Sequence, residues 1–288
     1  MKKETLLIFM LITLFVIMSG PFMVPVKADA ASYQQLDFYS DGEQISYIKV
    51  GSYYFKQSSV SYASLCVSTQ KSSGYKNTGI RSYGTEWTNG KYVFYVSSNA
   101  IYRYNLSNGK SKKIKSLSSI VCEYEYESPS FSISLIYGNY IYITRGCFDE
   151  WMNTTYMYNI KTGKLKKILK NCAIEVSYGK YCIGVNEYQT EAAPRKITLY
   201  KITSSGSLKK IKVLGENTCG QWVVNGKFYY TKYENGMKTM SLYRSKLNGS
   251  GEKKLVTLSS SSNYIFIYSL TEKYFLYYDG GSKRSYYF

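Results

Sequence analysis

The sequence predicts an all-β chain made of six copies of one antiparallel unit, and three observations predict it. A short hairpin signal, glycine then a polar residue then an aromatic run, recurs along the chain. A second tight-turn signal follows it in phase in four of the units. The segments between are apolar on both faces, and no helical period competes. Together they predict a six-bladed β-propeller of four-stranded antiparallel blades.

The first signal stands at Gly51-Ser52-Tyr53-Tyr54-Phe55, Gly90-Lys91-Tyr92-Val93-Phe94, Gly138-Asn139-Tyr140-Ile141-Tyr142, Gly179-Lys180-Tyr181-Cys182-Ile183 and Gly226-Lys227-Phe228-Tyr229-Tyr230. A sixth copy, Glu272-Lys273-Tyr274-Phe275-Leu276, lacks the glycine. The spacings of 39, 48, 41, 47 and 46 residues match a four-stranded blade. The second signal is Asn108-Gly109, Thr162-Gly163, Ser205-Gly206 and Asn248-Gly249, each suited to the positive φ of a tight hairpin. A lysine-rich strand follows each: Lys112-Lys113-Ile114, Lys166-Lys167-Ile168, Lys209-Lys210-Ile211 and Lys253-Lys254-Leu255. Each unit therefore reads as strands A, B, C and D from the inside outward. Strand B, as in Tyr92-Val93-Phe94-Tyr95-Val96, is apolar on both faces. A strand facing water on one side would alternate, so this one is sandwiched between neighbours. The chain stops at strand C of the sixth unit, while residues 36–39 form a spare strand before the first strand A at residues 45–50. The expectation is that this N-terminal strand closes the last blade and covers both open edges.

Residues 1–30 read as a signal peptide: Lys2 and Lys3, an apolar stretch over 6–18, the helix-ending Pro21 and Pro25, and the small-x-small site Ala28-Asp29-Ala30. Residues 31–288 read as a single propeller domain, with no transmembrane segment after cleavage. Export places it outside the cell, secreted or associated with the wall, and a monomer is expected. Histidine is absent, which excludes Ser-His-Asp and Cys-His catalysis in their usual forms and any His-ligated metal. No catalytic residue, cofactor or metal is assigned.

One segment carries a family resemblance. Leu242 to Leu255 reads Leu-Tyr-Arg-x-x-Leu-x-Gly-Ser-Gly-x-x-Lys-Leu after an aromatic run. This resembles the six-bladed propellers of the domain-of-unknown-function 5050 type, relatives of the YWTD and TolB-like propellers. The Tyr-Trp-Thr-Asp tetrad itself is absent; Glu86-Trp87-Thr88-Asn89 is a faint echo of it. The resemblance implies the fold and an extracellular binding role, and brings no catalytic residues.

The net charge of +18 points toward anionic partners, for an exported protein an anionic wall polymer rather than nucleic acid. Many of the lysines fall on strand D, however, where they also guard exposed edges. The acids cluster elsewhere. In the strand order above, the D-to-A connections and B-to-C loops emerge together at one end of the units. Three of them are enlarged: the connection holding Cys122, Glu123, Tyr124, Glu125, Tyr126 and Glu127; the loop holding Cys147, Phe148, Asp149, Glu150 and Trp151; and the loop holding Glu187, Tyr188 and Glu191. Carboxylates mixed with aromatic rings suit a protein or sugar contact on a rigid scaffold.

Six cysteines in an exported chain suggest disulfides. Cys122 with Cys147 would staple two of the enlarged loops. Cys172 and Cys219 recur at one position of successive units, and Cys66 and Cys182 read as small buried apolar residues. The expected function is a non-catalytic binding or scaffold propeller contacting an extracellular protein or cell-wall carbohydrate through the third and fourth units. One alternative is a carboxylate-based carbohydrate-active enzyme on the same surface. The other is anionic wall-polymer binding by the lysine-rich rim.

Overall fold

In a computed structural model, residues 33–40, 43–58, 63–122, 128–147, 153–186, 196–216, 220–234, 238–260 and 265–288 are described. The expected signal peptide lies outside them. The described chain is all-β and consists of six antiparallel sheets plus a short hairpin that pairs Tyr39–Ser40 with Glu43–Gln44. Sheet 1 contains Ile48–Val50, Tyr53–Gln57, Ser64–Ser68 and Lys76–Arg81. Sheet 2 contains Trp87–Thr88, Tyr92–Ser97, Ala100–Asn105 and Lys110–Ser116, with Gln34–Gln35 added on its inner edge. Sheet 3 contains Ser130–Tyr137, Tyr140–Gly146, Thr154–Asn159 and Leu165–Leu169. Sheet 4 contains Ala173–Tyr178, Tyr181–Asn186, Lys196–Ile202 and Leu208–Glu216. Sheet 5 contains Gln221–Val224, Lys227–Glu234, Thr239–Lys246 and Lys253–Ser259, and sheet 6 contains Ile265–Leu270, Tyr274–Asp279 and Ser282–Tyr287.

The turn chemistry explains the repeat. The five hairpin glycines have φ between 56° and 77°, and the glycines of the second turns lie between 67° and 78°. A side chain with a Cβ rarely adopts this region. The inner strands of sheets 3, 4 and 6 also share an irregularity at one position, between Ile133 and Leu135, Ile174 and Val176, and Ile267 and Ser269. A bulge there turns the inner strand and re-aims its side chains. The second strands of sheets 3 and 4 are buried on both faces: Ile141, Tyr142 and Ile143 in sheet 3, and Cys182, Ile183 and Val185 in sheet 4, are inaccessible to solvent. Apolar clusters then bridge successive sheets. One joins sheets 1 and 2 through Phe55, Leu65, Ile80 and Val93. Another runs from Trp87 and Phe94 through Ile133 and Tyr142 to Ile174 and Cys182, binding sheets 2, 3 and 4. Two more bind sheet 4 to 5 and sheet 5 to 6.

The N-terminal strand corrects the expectation that it closes the last blade. Gln34 and Gln35 pair with Thr88 and Trp87 of sheet 2, and the Leu36 amide donates to the Glu86 carbonyl at 2.7 Å. The physical reason is local. The 39–44 hairpin turns the chain directly into sheet 1, and the two-residue first strand of sheet 2 leaves an inner edge free to pair. Taking that edge buries Leu36 and Phe38 completely beside Val50, Phe55 and Val93. Sheet 6 keeps three strands among the described residues, and its edge strand carries exposed Lys283 and Arg284. Charge on an edge discourages further pairing.

Candidate functional site

The strand order gives the sheets two chemically different ends. At one end lie the glycine-marked turns, here the hairpin end. At the other lie the connections between sheets and the loops between second and third strands, here the loop end. Among the described residues, Glu43, Glu86, Glu216, Glu234 and Asp279 sit at the loop-end termini of their strands or connections, and Glu175 lies within the first strand of sheet 4. Glu252 and Glu272 lie in hairpin turns. Glu252 is held by the Lys212 ammonium at 2.8 Å and by the Tyr230 hydroxyl. The Lys212 contact keeps its carboxyl below the usual range against partial burial, and the same carboxylate helps raise the Tyr230 phenol.

At the loop end of sheet 3, Leu117 and Ile120 anchor the incoming connection in the core. Val121 then turns outward and is 67% exposed. The next residue, Cys122, is buried and disulfide-bonded to Cys147, with Cα atoms 5.9 Å apart. The Arg145 guanidinium donates from Nη1 to the Val121 carbonyl at 2.6 Å. Arg145 itself is fixed by pairing with Phe131 across the first hairpin of the sheet. Two covalently joined segments therefore leave sheet 3 from one place. The predicted contact residues Glu123, Tyr124, Glu125, Tyr126, Glu127, Phe148, Asp149, Glu150, Trp151, Glu187, Tyr188 and Glu191 lie outside the described residues, as does Cys219.

The neighbouring connection into sheet 4 is tied down by other means. Thr154 bridges Cys172, and the Thr155 hydroxyl donates to the Cys172 carbonyl at 2.7 Å. A Cβ at Gly184 would come within 2.8 Å of both the Cys172 sulfur and the Tyr200 ring, so only glycine allows this approach. Burial pushes the Cys182 thiol up, and burial beside Cys172 pushes the Tyr200 phenol up to about 12. Cys66 and Cys182 are buried, as small apolar residues are.

Sequence reading missed Glu86. It is 2% exposed, in the connection between sheets 1 and 2. Its carboxylate accepts from the Tyr83 amide at 3.0 Å, the Gly84 amide at 3.2 Å and the Ser82 hydroxyl at 3.1 Å. Burial outweighs these bonds and pushes its pKa up from 4.5 to about 7. The fold therefore prefers the protonated acid. Its contribution is fully present below pH 4.5 and is lost as pH rises through about 7. We expect a loss of about 3 kcal/mol across that window, measured by urea unfolding at pH 5 and pH 8. Glu86→Gln should flatten the profile; a variant that keeps the wild-type pH slope would show that another group is responsible. A Ser-x-Gly-x-Glu string ahead of a buried strand was the available signal.

Among the described residues, no three His, Cys, Asp or Glu side chains meet in a way that could hold a metal ion, and no helix is long and apolar enough to cross a membrane. No family model matches the chain, so the 5050-type resemblance has no such support, and no curated protein matches it either. Solved structures do. A structure from a study of two prolyl endopeptidases is 12% identical, with a TM-score of 0.52 over 84% of this chain and 41% of that one. TolB from Acinetobacter baumannii is 18% identical, with a TM-score of 0.40 over 77% and 59%. An oligogalacturonate lyase in complex with manganese is 9% identical, with a TM-score of 0.48 over 77% and 70%. The chain thus spans about half the length of the first two. At these identities the likeness concerns the fold alone. The neighbours are TolB-like and other β-propeller proteins, and the chain shares their all-β architecture of repeated four-stranded sheets.

Proposed function

We propose that the six sheets are the blades of one exported, non-catalytic binding propeller of the 5050 type. It contacts an extracellular protein or a cell-wall glycan through the loop end of sheets 3 and 4. The observation that carries this reading is the Cys122–Cys147 bond with the Arg145–Val121 contact beside it. Covalently fixing two segments that bear Glu123, Glu125, Glu127, Phe148, Asp149, Glu150 and Trp151 lowers the entropy lost when they meet a partner. Carboxylates beside aromatic rings then suit a basic protein surface or a sugar. The disulfide also favours an oxidising, extracellular location.

The test is capture from extracellular extract together with a glycan array, comparing the wild type with the triple variant Glu123→Gln, Glu125→Gln, Glu127→Gln. We expect a partner bound at micromolar concentration or tighter and weakened about tenfold or more by the triple variant, roughly 1.4 kcal/mol. Unchanged binding by the variant would remove this end from the contact.

A further inference from the structure

We propose a second binding surface, at the hairpin turns of sheets 3 and 4 and the end of the outer strand of sheet 2 beside them, that takes a linear polymer bearing repeated negative charges, phosphodiesters or uronates. It goes beyond the loop-end reading, because none of the residues lining it is one of the contact residues proposed there.

Two hollows open side by side there. The larger, about 780 Å³, has Lys115, Lys164 and Lys166 around Tyr140 and Met157. The smaller, about 390 Å³, has Lys180, Lys201 and Lys209 around Tyr137. No carboxylate is among the described residues lining either one. Six ammonium groups therefore gather with no acid in the lining, which raises the local concentration of anions.

The partition between the hollows is built rather than incidental. Ser204 and Ser205, on the turn after the third strand of sheet 4, line one hollow each. The Tyr142 hydroxyl donates to the Gly206 carbonyl at 2.7 Å and the Tyr140 hydroxyl to the Ser204 carbonyl at 3.3 Å. Gly206 has φ +78°, and a Cβ there would stand 2.5 Å from the Tyr140 ring. The turn thus packs against that ring and stands between the two hollows. Two open cationic hollows divided by one turn fit successive charges along a chain better than one small anion. Ammonium groups serve as point charges for phosphate or carboxylate, and the Tyr137 ring in the smaller hollow adds an aromatic surface for polyol or sugar C–H groups. Among the described residues, the exposed large apolar side chains Tyr83, Val121, Ile211, Tyr287 and Phe288 line neither hollow.

The lysines outside the hollows provide the control. Lys112, Lys167 and Lys210 are also exposed on outer strands but line neither hollow. The experiment measures fluorescence anisotropy of the intact chain with labelled polyglycerol phosphate and, separately, labelled polygalacturonate. At low salt we expect saturable binding to at least one, and which one binds identifies the anion. Lys164→Glu, Lys166→Glu, Lys209→Glu together should weaken it about tenfold or more, while Lys112→Glu, Lys167→Glu, Lys210→Glu should weaken it less than about threefold. Should the first variant fail to fold, the wild type still decides: bound polymer should shield Lys164, Lys166 and Lys209 from acetylation and leave Lys112, Lys167 and Lys210 reactive. Equal loss in both triple variants, uniform shielding, binding of neither polymer, or binding only to phosphatidylglycerol vesicles or single-stranded DNA would overturn the proposal. None of these outcomes bears on the loop-end glutamines, so the two readings fail separately.

Discussion

Replacing Trp87 by alanine should cost about 4 kcal/mol of folding stability, the largest single-residue loss expected here. Trp87 is 3% exposed and belongs to the first strand of sheet 2, which is only two residues long. So short a strand gains little from its own ladder, and its position depends on the side chain. The indole packs into the cluster that joins sheets 2, 3 and 4, and its Nε1–H donates to the Ile133 carbonyl at 3.1 Å, across to sheet 3. Truncation would open a cavity at the seam and leave that carbonyl without its donor. Trp87→Phe keeps most of the ring and loses the hydrogen bond, so it should cost about 1 to 2 kcal/mol. Urea unfolding measures both. A midpoint shift at constant slope would place the loss in stability, and a loss below about 1 kcal/mol for alanine would mean the seam is held by other contacts.

The second large effect is removal of the disulfide. The Cys122→Ser, Cys147→Ser pair opens a loop with a sequence separation of 25. Loop-closure entropy assigns that cross-link about 3.5 kcal/mol, released when the unfolded chain is no longer constrained. For a chain of this size Tm should fall by roughly 7 to 14 °C. The same shift should follow when the wild type is reduced, while the double variant should not respond to reductant. The binding consequence is sharper than the stability one. Below its melting point the variant should keep the sheets yet bind the loop-end partner more weakly, because Arg145 and Val121 alone would hold the connection. Full affinity in the folded variant would show that the clamp serves stability only.

The repeat could be read because it is one-dimensional: glycines in phase and strands apolar on both faces record the period directly. The pairing of the N-terminal strand could not. The sequence shows a spare strand, but which edge accepts it depends on the 39–44 hairpin and on the brevity of Trp87–Thr88. Glu86 was missed for a related reason, its Ser-x-Gly-x-Glu string being too weak a signal to stand out. An isolated acid reads as solvated, and its burial follows from how residues 82–86 fold back on the sheet 1–2 seam. The cysteines allowed many pairings, and the shared exit of Cys122 and Cys147 from sheet 3 selects one. Lysines on outer strands were legible as a pattern, but the hollows of sheets 3 and 4 arise where three sheets abut, and no local spacing records that.

The central claim is that the clamped loop end of sheets 3 and 4 is the contact surface. Hydrogen exchange of the intact protein, with and without the captured partner, tests it most directly. The account predicts slowed exchange in peptides covering residues 117–131, 145–155 and 186–196, with sheets 5 and 6 unchanged. Protection confined to the hairpin turns or to the outer strands, with those three segments exchanging as in the free protein, would contradict it.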